Sequence, residues 1–226
     1  MKRFFFLLVI TLVFVPTNLF AQGVIKGHVS FTGTPPVVEK VEVKSDMPTC
    51  GNAKEVQKLL IGKDQGVGNA IVTLIGPAGV PKPKDGSLDQ VQCEFQPHVQ
   101  AIPLGSTLKI TSSDSVLHNS HGFYEDGSTA FNLAVPIVGM EAPFKTKQPG
   151  LIKLRCDAGH TWMSAYVMVT DKPFYAVTDA NGDFTLEGVP PGKYEVEVWQ
   201  EWLGTYREPI EVKEGEQPVT ITMKKS

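Results

Sequence analysis

The sequence predicts an all-β protein, and three observations carry that reading. Apolar and polar residues alternate with a period of two between turn signals along most of the chain. There are 21 glycines and 17 prolines among 226 residues, well above average usage, as many turns between short strands require. A helical spacing of apolar residues occurs in one place, Ala53–Leu60, where Val56, Leu59 and Leu60 fall on one face for about two turns.

The chain begins with a basic head, Met1-Lys2-Arg3, an apolar run from Phe4 to Val15, and the end Leu19-Phe20-Ala21. This reads as a secretory signal peptide over residues 1–21, because the run is shorter than the roughly 20 residues needed to span a bilayer. A retained membrane anchor is the alternative. No second long apolar segment follows, so no membrane span is expected after cleavage. Cleavage removes two of the 21 basic residues and none of the 24 acidic ones, leaving a net charge of −5. That balance argues against a nucleic-acid partner, which selects a basic face. Export also means a periplasmic or secreted location, where disulfides persist.

Strand candidates follow in order. Val24–Phe31 comes first, then an irregular polar stretch over 32–66, then Ala70–Ile75 and a Gly/Pro/Lys loop over Gly76–Gly86. A second block starts near Gln90 with Val91–Phe95, His98–Pro103 and Thr107–Ser112, and continues after a polar loop with Gly150–Cys156 and Ser164–Thr170. A third block runs from Pro173. Tyr175–Thr178 and Asp183–Glu187 flank Asn181-Gly182, a hairpin signal, and this reading is preferred to calcium binding by Asp179, Asn181 and Asp183. Pro190-Pro191-Gly192 marks a turn. Tyr194, Val196 and Val198 then alternate with glutamates, and Ile210–Val212 and Val219–Met223 close the chain.

Chemistry concentrates in Cys156-Asp157-Ala158-Gly159-His160-Thr161-Trp162-Met163, between two strands, and in Ser113–Asn119, where a strand ends on His118. Two imidazoles, one thiolate and a weak thioether form the donor set of a blue-copper site, since soft sulfur ligands select copper over hard cations. Zinc is the competing metal, because Cys plus two His with water also makes a tetrahedral shell. Each residue has a plainer alternative. Cys156 is a buried thiol, Met163 is core packing, and Trp162 is either a lid or a docking surface. His121 is a candidate ligand or a rim histidine, His98 is expected to be buried near the site, and His28 carries no assigned role.

Residues Gln90–Asp171 resemble a cupredoxin domain. The likeness rests on Phe95-Gln96-Pro97, Leu104-Gly105, Asp114-x-x-x-His118-Asn119 and Cys156-x3-His160-x2-Met163. The last spacing is similar to half of the dinuclear copper loop of oxidases, but Ile152 stands where a second cysteine is needed, which implies one copper ion. The flanks resemble a carboxypeptidase regulatory-like, transthyretin-type sandwich. These carry Gly27-His28-Val29, Gly68-Asn69-Ala70-Ile71-Val72, Thr178–Leu186 and Val189–Tyr194. The whole is similar to secreted bacterial proteins grouped as methylamine-utilisation-like or rhamnogalacturonan-lyase-like.

The resemblance implies a cupredoxin-like Greek-key sandwich inserted into a regulatory-like sandwich. Residues 22–89 and 173–226 would form the carrier and 90–172 the insert. It implies a mononuclear copper protein that carries one electron at a time to a redox protein partner, with His118, Cys156, His160 and Met163 as ligands. A non-redox scaffold, a carbohydrate- or partner-binding module, or a copper-handling protein with structural copper or zinc is the alternative. With Cys156 given to the metal, Cys50 and Cys93 are expected to pair. That closes a loop of about forty residues, worth roughly 3–4 kcal/mol by chain entropy. The usual motifs of phosphate-binding, serine-hydrolase and zinc-protease enzymes do not occur, so a binding or carrier role is expected rather than catalysis.

Overall fold

The structure, a computed structural model, describes residues 22–76 and 79–225. The expected signal peptide, residues 1–21, lies outside the described residues.

Gly23–Phe31 buries every second side chain, as the alternation in its sequence demands. It pairs antiparallel with Asp183–Val189 and in parallel with Gly215–Met223 along its full length. A second sheet runs in the order Tyr175–Val177, Ile71–Ile75, Gly192–Gln200, Gly204–Val212. The two sheets face one another across a core that includes Ile25, Val29, Val72, Leu74, Val196, Val198 and Ile221. This carrier sandwich is thus assembled from both ends of the described chain.

Between those ends lies the inserted sandwich. One sheet has the order Ala142–Lys145, Thr107–Ile110, Gly86–Val91, Glu94–Gln96. The other has Thr129–Val135, His118–Tyr124, Gly150–Arg155, Ser164–Thr170, Val99–Pro103. Leu88, Ile102, Leu108, Ile110, Ile152, Leu154 and Val167 fill the space between them. A third apolar cluster, Ile71, Val99, Leu151 and Trp199, joins the sandwiches. It explains why Ile71–Leu74 is buried without alternation, since that strand is covered on both faces. Trp202 packs edge-on against Phe31 in the carrier.

Besides the polar loop expected between Ser112 and Gly150, which instead carries the strands His118–Tyr124, Thr129–Val135 and Ala142–Lys145, with His118 starting a strand rather than ending one, two local expectations are corrected. Ala53–Leu60 is not a helix. Ala53–Val56 is a strand paired with Glu39–Glu42, and Leu60–Ile61 pairs with Val67–Gly68. Two turns of helix cannot sustain themselves without a packed face. Of the three apolar residues that suggested it, Leu59 alone is fully buried. The α-helix of this region is instead the single turn Met47–Cys50. Second, Asn181-Gly182 does not join a hairpin. Tyr175–Val177 and Asp183–Val189 belong to opposite sheets of the carrier, so the turn is a corner between them. The Asp179 carboxylate accepts the backbone N–H groups of Asn181 and Asp183 there, and Gly182 adopts φ 86° against the carbonyl of Val29.

Val91 and Glu94 pair directly, so Gln92 and Cys93 form a two-residue hairpin turn with φ of 51° and 58°. Left-handed backbone at two non-glycine residues needs compensation. Both Asp114 carboxylate oxygens supply it, accepting the N–H of Gln92 and of Cys93 at 2.7 Å each. Cys93 is bonded to Cys50 in a disulfide, as expected.

Candidate metal centre

His118 starts the strand His118–Tyr124, and its inward face carries His118, Ser120 and Gly122. The neighbouring strand Gly150–Arg155 pairs Arg155 with His121, which brings the next residue, Cys156, to the same end of the sheet as His118. The Asp157 N–H donates to the Asn119 side chain, pinning the loop to that strand. The loop folds back through Gly159, with φ 94°, and closes where the Met163 N–H donates to the carbonyl of His160.

The result is a cluster buried at the end of the insert. Cys156 Sγ lies 4.0 Å from His118 Nδ1 and 3.7 Å from His160 Nδ1. Both imidazoles are fully buried, and Cys156 is 5% exposed. Cys156 is the free cysteine. Each imidazole presents its other nitrogen to a carboxylate. His118 Nε2 donates to Asp114 at 2.9 Å, and His160 Nε2 donates to Asp46 at 3.1 Å. A carboxylate only accepts, so both rings carry their proton on Nε2 and turn the Nδ1 lone pair toward the sulfur. Burial pushes the His118 imidazole below its ordinary pKa, against the lift from Asp114.

The donor set fits a first-row metal ion. Two lone pairs and a sulfur converge, with at most one thiol proton among them, so at least one acceptor lacks a donor unless a cation enters. Metal bonds of about 2.3 Å to sulfur and about 2.0 Å to nitrogen, opened to about 120°, set sulfur and nitrogen about 3.7 Å apart. The observed spacings of 3.7 and 4.0 Å leave room for such an ion between the sulfur and the two nitrogens.

Met163 is 2% exposed and sits in the same apolar cluster as Cys156. Trp162 covers the loop. Its indole N–H donates to the Cys93 carbonyl, and its ring lies 5.4 Å from that of His160. His121 does not join the cluster. Its Nδ1 bonds Asp157, its Nε2 meets the Thr129 hydroxyl at 3.3 Å, and its ring lies against Phe123. In a strand, residues three apart point to opposite faces, so His118 and His121 cannot both look inward. His98 is half-buried beside Trp162 and Met163 but outside the cluster, bonded to the Ser164 carbonyl and to Glu201. His28 bonds Asp183 on the carrier.

The sequence reading did not assign Asp46 or give Asp114 a role. Asp114 stands four residues before His118, a spacing that was visible. Asp46 is 114 residues from His160, and no local pattern announces it.

A model of the carboxypeptidase regulatory-like domain matches residues 157–224. The match starts inside the metal loop and runs through the C-terminal carrier strands. No curated protein matches the chain. Among solved structures, a purple cupredoxin from Nitrosopumilus maritimus is 24% identical over 38% of this chain and all of that one, with a TM-score of 0.33. A copper-containing nitrite reductase from Thermus scotoductus is 19% identical over 43% of this chain and 25% of that one, also at 0.33. A pseudoazurin from Sinorhizobium is 20% identical over 39% of this chain and 75% of that one, at 0.32. The described chain is nearly all β, one two-sheet sandwich set within a second one built from both ends of the chain.

Proposed function

We propose that this chain is an exported protein with one copper ion, held by His118, Cys156 and His160 with Met163 as a weak axial thioether, and that it carries single electrons. The observation that supports this most is the convergence of two imidazole Nδ1 atoms on a free, buried cysteine sulfur. Bound copper would supply one-electron chemistry between its two oxidation states. The chain's own residues keep the donors rigid. Asp114 and Asp46 lock the ring orientations, and the strand ends fix Cys156 against His118, so the site need not rearrange when its charge changes. Soft sulfur favours copper over harder ions.

The division of labour follows the chain. The copper domain runs from the strand Gly86–Val91 to about residue 172 and is joined by the strap of residues 43–52, while the remaining residues before 77 and residues 173–225 form the carrier, grouped with methylamine-utilisation-like secreted proteins and serving as a docking platform. Export to the periplasm or beyond agrees with the Cys50–Cys93 disulfide. A redox protein partner is proposed to dock on the loops nearest the centre. There Met47, Leu117, Ile137, Val138 and Met140 are exposed beside Asp46, His118 and the strand end Val135. Small apolar surfaces of this kind suit brief encounters.

The test is the optical and paramagnetic spectrum of the purified mature protein with Cu(II) added. An intense visible thiolate-to-copper band, lost in Cys156→Ser, is the expected result. A tight but colourless complex would replace this reading with structural zinc. No band and a silent Cys156→Ser would remove the copper centre altogether.

A further inference from the structure

Val43–Asn52 is the tip of the hairpin formed by Glu39–Glu42 and Ala53–Val56, closed where the Val43 N–H donates to the Asn52 carbonyl. In sequence it precedes the whole insert. In space, Val43 and Cys50 are buried in the core of the insert. Three further ties hold the strap and its following strand to one place, residues 92–94. They are the Cys50–Cys93 disulfide, a bond from Lys54 Nζ to the Gln92 carbonyl, and an ion pair from Lys54 to Glu94 at 2.9 Å.

Asp46 stands at the N-cap of the single helical turn Met47–Cys50. Its backbone is left-handed, φ 56° and ψ 26°, and its carbonyl accepts the N–H groups of Thr49 and Cys50. An aspartate there ordinarily caps the turn with its side chain. Asp46 makes no such bond, and its carboxylate reaches His160 Nε2 instead. Strained backbone and a forgone cap both need a reason. The bond to His160 supplies one. It also closes a ring of supports, from His160 through Asp46, Cys50, Cys93 and Asp114 to His118.

We propose that Asp46 is a positioning residue of the metal centre, carried to it by a disulfide-fastened strap, where its carboxylate fixes His160 with Nδ1 toward the metal and seals that ligand from solvent. The proposal rests on the metal-site reading of His118, Cys156 and His160. Outer partners of metal-bound histidines are typically worth 10–100-fold in affinity. Asp46 touches no metal itself and acts through His160.

Two measurements test it, one of which needs no metal. In the metal-free protein, nitrogen NMR of His160 should report a single Nε2–H tautomer, and Asp46→Ala should yield a mixture. Asp46→Asn should keep the tautomer, since an amide oxygen still accepts, and so guards against a folding defect in the alanine variant. In the second measurement, Cu(II)- and Zn(II)-loaded proteins are mixed with a chelator. Asp46→Ala and the Cys50→Ser/Cys93→Ser pair should each release metal about tenfold faster or more. Asp64→Ala, on the carrier side of the chain, should release at the original rate. An unchanged tautomer together with unchanged release in Asp46→Ala overturns the proposal. If the original protein takes up neither ion, the metal-site reading fails, while the tautomer measurement still decides whether Asp46 orients His160.

Discussion

The two sandwiches each carry a histidine bonded to an aspartate, and the pairs behave differently. His28 and Asp183, in the carrier, lie 2.7 Å apart with side chains 26% and 62% exposed. His118 and Asp114, in the insert, lie 2.9 Å apart at 0% and 6%. The chemistry of the pair is the same, so the difference lies in what faces the second ring nitrogen. His28 Nε2 has no hydrogen-bond partner, and His28 belongs to no metal-competent cluster among the described residues. His118 Nδ1 faces a free thiol that a second imidazole also faces. An exposed hydrogen bond between histidine and carboxylate is a minor surface contact. A buried one, with its outer nitrogen committed, presents its inner lone pair in one direction.

Seven substitutions break or sharpen that comparison, and the largest effect belongs to the proposed donors. Cys156→Ser and His118→Ala should each weaken copper binding by more than the roughly 10–100-fold that outer partners are worth, while His28→Ala leaves the titration curve unchanged. Loss of binding in His121→Ala with retention in His118→Ala would mean that the wrong histidine has been chosen.

Asp114→Ala comes next. It strips the N–H groups of Gln92 and Cys93 and the Nε2–H of His118 of their acceptor. Leaving buried donors unpaired should cost about 2–4 kcal/mol in denaturant unfolding of the metal-free protein. Equal losses from Asp114→Ala and Asp183→Ala would erase the distinction between the sandwiches.

A third pair, His98 and Glu201, bridges the sandwiches and sharpens the comparison through pH. Burial is the largest influence on His98 and pulls its pKa down, but the bond to Glu201, its charge and the Ser164 carbonyl together lift it above the ordinary value. A raised folded-state pKa means that the pairing contributes fully below the unfolded value and fades as pH rises through the folded one. Glu201→Gln should therefore cost about 1–2 kcal/mol at pH 5 and much less at pH 9, read by unfolding at both. A uniform loss would assign the pair to packing alone. The smallest effect is that of Asp183→Ala, about 0.5 kcal/mol, since its partner His28 is already in contact with water.

Much of this was legible along the chain. Period-two alternation marks which side of a strand faces inward, because successive side chains must point to opposite faces, and so Gly23–Phe31 and Gly192–Gln200 were readable. The approach of Cys156 to His160 was readable because the two lie four residues apart in one loop. So was the disulfide, since three cysteines with one in a ligand loop leave one pair. Short signals failed where distant partners outweighed them. Ala53–Leu60 had helical spacing but found a strand partner in Glu39–Glu42. Asn181-Gly182 had hairpin chemistry but turned between opposite sheets. His121 was within reach of the rule that excludes it, because an odd spacing from His118 puts it on the outer face.

By itself the sequence determined the alternating strands of the carrier and of the second half of the insert with their inward faces, which follow from steric periodicity over a few residues, but not the strands His118–Tyr124, Thr129–Val135 and Ala142–Lys145 in the stretch read as a polar loop. Tertiary structure alone decided that Asp46 would meet His160, that Asp114 would hold the Gln92-Cys93 turn as well as His118, and that the strap of residues 43–52 would pack on the insert rather than on the carrier. Those contacts join residues tens to more than a hundred positions apart. Their free energy depends on which sheets lie face to face, and no periodicity within one segment records its neighbour across the core.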